Sequence, residues 1–142
     1  MDLKVSVRET SRITQSDGDV TELSSLSPGC LRELGDKLIL TYTDTTEGGR
    51  VFNRVEIEDE CVSVKRSGAV SLSLRLKVGE VEKTVYEVPP FAFDMTVKTE
   101  SVRVVREQKG GLRIGLRFDS IIGGAPQKTE LVIRALPKGD GV

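Results

Sequence analysis

Apolar and polar residues alternate with period two along about a dozen short runs between Leu3 and Ala135, most clearly in Arg50-Val51-Phe52-Asn53-Arg54-Val55-Glu56-Ile57. Successive side chains of a strand point to opposite faces, so this rhythm specifies strands with one apolar and one wet face. The runs span Leu3 to Ile13, Asp19 to Leu26, Gly29 to Leu34, Lys37 to Asp44, Arg50 to Glu58, Glu60 to Ser67, Val70 to Val78, Glu82 to Val88, Phe91 to Thr99, Ser101 to Glu107, Leu112 to Ile121 and Lys128 to Leu136. Some merge around bulges, which predicts about eight to ten strands. Turn formers separate them, among them Ser16-Asp17-Gly18-Asp19, Leu34-Gly35-Asp36, Glu47-Gly48-Gly49, Ser67-Gly68, Val78-Gly79-Glu80, Pro89-Pro90, Lys109-Gly110-Gly111 and Gly123-Gly124-Ala125-Pro126. The one helical candidate, Leu26 to Leu34, is broken by Pro28-Gly29.

A sheet of so many short antiparallel strands accumulates twist and leaves edges that invite aggregation. Closure on itself removes both problems. The hairpin-after-hairpin order therefore predicts an all-β, antiparallel up-and-down closed barrel, with a β-sandwich as the competing solution. The length of 142 residues suits one domain over 1–142, with a flexible tail from about residue 137.

Charge and composition narrow the function classes. Lys and Arg total 21 against 22 Asp and Glu, both signs interspersed, so no basic field points to nucleic acid. The apolar runs are too short to span a membrane, and Met1-Asp2-Leu3-Lys4 opens no export signal, which predicts a cytoplasmic protein. Cys30 and Cys61 are expected to be reduced thiols in that compartment. A homodimer is compatible with the sequence and not required by it.

The chain has no histidine. The commonest general base and metal ligand is thus missing, and with it any Ser-His-Asp, Cys-His or Cys/His zinc arrangement. Asp17 and Asp19 flank Gly18 without the rest of a calcium loop, and they read as a turn. Glu58-Asp59-Glu60 reads as a solvated hairpin tip. No cofactor and no enzymatic activity are expected.

Parity assigns an interior of Leu3, Val5, Val7, Leu38, Leu40, Tyr42, Val51, Asn53, Val55, Ile57, Val62, Val64, Leu72, Leu74, Leu76, Phe91, Phe93, Met95, Val97, Leu112, Ile114, Leu116, Phe118, Leu131 and Ile133. The same parity turns Glu9, Tyr42, Asn53, Arg66, Tyr86 and Arg106 inward. Buried polar groups are costly unless paired, so such residues sit at a barrel mouth, pair with one another, or contact a ligand. Tyr42, Asn53, Arg66, Tyr86 and Arg106 are accordingly the candidate binding residues. The alternative for the arginines is snorkelling from strand ends, and for the tyrosines a place in the core with a satisfied hydroxyl.

Several segments taken in order, Leu38-Ile39-Leu40-Thr41-Tyr42-Thr43-Asp44, Val55-Glu56-Ile57, Val62-Ser63-Val64-Lys65-Arg66-Ser67-Gly68, Tyr86-Glu87-Val88-Pro89 and Gly111-Leu112-Arg113-Ile114-Gly115-Leu116, resemble the YwiB-like family of small bacterial proteins of unknown function. Arg-x-Gly at Arg66 to Gly68 and Tyr-x-x-Pro at Tyr86 to Pro89 are its most specific pieces, while Val88 and Pro90-Phe91 depart from its pattern. The resemblance implies a calycin-like, lipocalin-like barrel, a bacterial cytoplasmic setting and, by analogy, a small apolar ligand. Two functions follow as expectations. One is a barrel that binds such a ligand with Tyr42, Arg66, Tyr86 and Arg106 at its mouth; the other is a structural or protein-interaction module with a filled core.

Overall fold

The computed structural model describes residues 2–46 and 49–138. The expected turn residues Glu47 and Gly48, and residues 139–142 of the expected tail, lie outside them. The described residues form ten strands: β1 (Asp2–Gln15), β2 (Val20–Leu34), β3 (Lys37–Thr46), β4 (Gly49–Glu58), β5 (Cys61–Gly68), β6 (Leu72–Leu76), β7 (Val81–Val88), β8 (Phe91–Arg106), β9 (Leu112–Ile122) and β10 (Ala125–Pro137). A single turn of 3-10 helix, Gln108–Gly110, interrupts the last third. Pro137 thus ends a strand, and the amide of Lys138 donates to the Lys4 carbonyl, 3.1 Å away.

All ten strands make one antiparallel sheet in the order β6-β5-β4-β3-β2-β1-β10-β9-β8-β7. This is a meander wrapped until its first and last strands pair, from Val5 opposite Pro137 to Gln15 opposite Gln127. The barrel is nearly closed: among the described residues the backbones of the β6 and β7 sides pair only at the Ser71–Glu87 bridge. That seam is finished by side chains, since the Arg75 amide donates to the Glu82 carboxylate and the Arg75 guanidinium pairs with Glu80.

Two expected breaks are internal features of longer strands. The first, at Thr99/Ser101, is an irregularity in the β8–β9 register. The second is Pro28-Gly29 within β2. Pro28 has no amide to donate, and a Cβ on Gly29 would come within 2.6 Å of the Thr41 carbonyl and 2.8 Å of Val7 Cγ2. Glycine is what lets β2 lie against β3 and Tyr42 here. Pairing of β2 with β3 runs only from Gly29 opposite Tyr42 to Leu34 opposite Lys37, so Val20–Pro28 pairs with β1 alone.

The interior is graded along the barrel axis. One end is packed with Val5, Leu40, Val55, Val62, Leu76, Leu112, Ile114, Leu116, Ile133 and their neighbours, which follow the alternation from strand to strand. The other end carries the β1–β2, β3–β4, β5–β6, β7–β8 and β9–β10 connections and forms a mouth. Phe91 and Phe93 keep the inward parity expected of them but are not buried, at 63% and 38% exposure. The β7–β8 hairpin overshoots its neighbour: β9 ends at Ile122, opposite Met95, so the wall stops below Phe93. Leu23 on β2 is likewise inward in parity and 58% exposed.

Candidate functional site

The register gathers most of the predicted residues into one ring. Tyr42 on β3 lies opposite Asn53 on β4, Asn53 opposite Arg66 on β5, and Arg66 opposite Leu72 on β6. The Ser71–Glu87 bridge brings Tyr86 of β7 next in line, where it is half-buried and packs against the core. Four of the five candidates thus share one level of the barrel, because each hairpin turn preserves inward parity across its two strands.

Arg106 does not join them. β8 starts at the mouth with Phe91 and ends at the opposite rim, where exposed Arg106 pairs with Glu33 of β2 at 2.8 Å. Parity records which face a side chain takes; it carries no information about height, and a strand of this length runs from one rim to the other.

Within the ring, Arg66 donates to Glu9. Glu9 sits on β1 and Arg66 on β5, four strands away around the wall, so their ion pair crosses the lumen. The Tyr42 hydroxyl donates to the other Glu9 oxygen at 3.1 Å. Burial works against the Arg66 cation, but the facing Glu9 carboxylate, with Tyr42 and Asp44 beyond it, outweighs that cost and holds the guanidinium above its ordinary range. Burial, reinforced by the Glu9 charge, pushes the Tyr42 phenol well above its ordinary range.

Asn53 is 2% exposed, and its Nδ2 donates to Asp44 Oδ2 at 3.2 Å, to the Val51 carbonyl at 3.2 Å and to the Tyr42 carbonyl at 3.4 Å. Three acceptors around one nitrogen fix the amide's orientation. They leave Asn53 Oδ1 buried without a hydrogen-bond donor. Glu9, Arg66 and Asp44 together carry one negative charge more than positive, and their hydrogen-bonding face is richer in acceptors than donors. Sequence reasoning missed Asp44 as a member. Its position two residues beyond Tyr42 on the same strand was the available signal.

Above this charged ring the β7–β8 side of the mouth is apolar. Tyr86 pairs with Phe93 and Val88 with Phe91 on the inner side of the β7–β8 hairpin, and the two Phe rings stack with centroids 6.4 Å apart. The inward-facing surface thus carries the aromatic residues of the β7–β8 hairpin at the mouth, a polar ring below them and a packed base. Two grooves of about 630 and 590 Å³ lie elsewhere, mostly along the outer wall. The first is lined by Lys37, Glu56, Glu58, Arg75 and Lys77, the second by Lys98, Asp119, Ile121, Pro126 and Lys128. In the first, Lys37 pairs with Glu56 and Glu58, so the acidic hairpin tip is a solvated charge network. Asp17 Oδ1 accepts from the Asp19 amide at 2.9 Å, the geometry of an ordinary turn. Among the described residues no three Cys, Asp or Glu converge as a metal site, and no helix is long and apolar enough to cross a membrane.

The profile of a family described as a domain of unknown function (DUF1934) matches residues 5–133. The crystal structure of the YwiB protein from Bacillus subtilis superposes with a TM-score of 0.81 over 98% of this chain and 94% of that one, at 20% identity. At that identity the likeness establishes the barrel and nothing about its chemistry. No curated protein matches the chain.

Proposed function

The chain belongs to the DUF1934 family of domains of unknown function, and from that premise we propose that it is a non-enzymatic binding barrel that seats one small, largely apolar molecule in its mouth. The observation that carries this reading is the exposure of inward-facing Leu23, Phe91 and Phe93 above a packed base. An apolar surface that faces inward yet meets water is the kind that a ligand covers.

The polar ring restricts what the ligand's polar end can be. Arg66 is engaged with Glu9, so it is not free to hold a carboxylate, while Asp44 and Asn53 Oδ1 add acceptors. These features favour a neutral or cationic head over an anionic one. An octyl series tests this directly: octylamine, octanol and octanoate differ only in the head. Titration followed by aromatic chemical shifts should give saturable binding for the amine and the alcohol, weaker for octanoate. Phe91→Ser with Phe93→Ser should weaken it about tenfold or more, in line with two lost aromatic contacts. Absence of saturable binding for all three, or an unchanged affinity in the double variant, would overturn the proposal.

A filled barrel acting as an interaction module is the second reading, and it is favoured by the packed base and by the closure of the Glu9–Arg66 pair across the lumen. The octyl series separates the two, because a module without a site binds none of the probes.

A further inference from the structure

We propose that Val20–Pro28 of β2 pairs antiparallel with the same segment of a second copy of this chain, fusing two barrels about a two-fold axis at Ser24. This segment pairs with β1 on one side, and its ladder to β3 begins only at Gly29. Its other side is thus a free strand edge among the described residues. Sheet edges that stay single are shielded by lysines, prolines, bulges or shortness. Val20–Pro28 has none of these until Pro28 at its end, and Glu22 is its only charge. Leu26 on the outer face is 64% exposed, with Val20 and Leu23 also open to solvent. The other interrupted edge, between β6 and β7, is by contrast finished by Arg75, Glu80 and Glu82.

Self-pairing is what the charges of this segment fit. A two-fold at Ser24 sets Glu22 opposite Leu26 of the copy and Val20 opposite Pro28, so the only charge never meets its own image. Arg8 of β1 lies directly beside Leu26 on the outer face and makes no ion pair among the described residues. The incoming Glu22 therefore arrives over Leu26 next to an unengaged guanidinium, flanked on its own side by Arg12 at 3.7 Å. Each half of the interface repeats the arrangement, as a two-fold requires.

The test reads both association and register. Sedimentation equilibrium of the full chain should show a concentration-dependent dimer. Leu26→Glu places like charges opposite each other twice per dimer and should weaken it about tenfold or more. Leu26→Lys places opposite charges there and should retain the dimer, and Leu26→Glu combined with Glu22→Lys should restore it. Circular dichroism on each variant, all at exposed positions, confirms that the barrel is intact. A parent chain that is monomeric at every concentration, a Leu26→Glu variant that dimerises as tightly as the parent, or a charge-swapped pair that stays monomeric would overturn the proposal.

Discussion

Replacing Arg66 by Met removes the cation that crosses the lumen while keeping most of the side chain's volume. What remains is Glu9, 7% exposed, with the Tyr42 hydroxyl as its one side-chain donor among the described residues. Breaking a buried ion pair from one side costs about 3–5 kcal/mol, because the abandoned charge keeps its desolvation penalty. The Arg66 side chain is 25% exposed, so water can reach its end of the pair and the cost falls to about 2–4 kcal/mol. For a domain of this size that is a drop in Tm of roughly 6–12 °C. Denaturant unfolding of the parent, Arg66→Met, Glu9→Leu and the double variant supplies the cycle. The double variant should be more stable than either single one by about 1–3 kcal/mol, since it strands no charge. A loss below about 0.5 kcal/mol for Arg66→Met would refute the reasoning and return Arg66 to the class of solvated strand-end arginines.

Three further outcomes follow from the same structure. The Tyr42 phenol is raised by burial and by Glu9, so its contribution to stability is complete below the unfolded value near pH ~10 and is lost as pH rises beyond it; unfolding measured from pH 8 upward should show this decline, and Tyr42→Phe should flatten it. Cys30 and Cys61 are both free thiols, so replacing both by Ser should change stability by no more than about 1–2 kcal/mol, and a reductant should leave the Tm of the parent unmoved. Gly68 closes β5 with φ +112°, and a Cβ there would strike the Arg50 carbonyl, so Gly68→Ala should cost about 2–4 kcal/mol by denaturant unfolding, whereas a loss under 0.5 kcal/mol would show that the turn relaxes freely.

The wall of this barrel is legible in the sequence because alternation is a local signal. Val51, Asn53, Val55 and Ile57 announce their common face without reference to any other strand, and all four are buried. Even the Glu9–Arg66 encounter is foreshadowed by two charges on inward parity, since each has few other solutions to burial. Height and depth are different matters. Whether Arg106 reaches the same level as Arg66, or Phe93 clears the rim, depends on how far each strand overshoots its neighbour, and that is set by pairing between distant segments. Asp44 ends the Lys37 to Asp44 run on the inward parity of Tyr42, and only its pairing with Asn53 across the β3–β4 ladder shows that it belongs to the ring. The free edge of β2 depends on where a ladder stops, which Pro28 hints at and only the paired structure locates.

A ligand's position in the barrel decides most directly whether the mouth is a binding site. Methyl- and aromatic-resolved NMR during an octylamine titration reports the apolar and aromatic residues of the mouth and the base at once. Saturable shifts confined to Leu23, Tyr86, Val88, Phe91 and Phe93, with smaller ones at Tyr42 and none at Leu112, Ile114 or Leu116, are the predicted result. Saturable shifts centred on the base residues, or no saturable shift anywhere in the mouth, would contradict it.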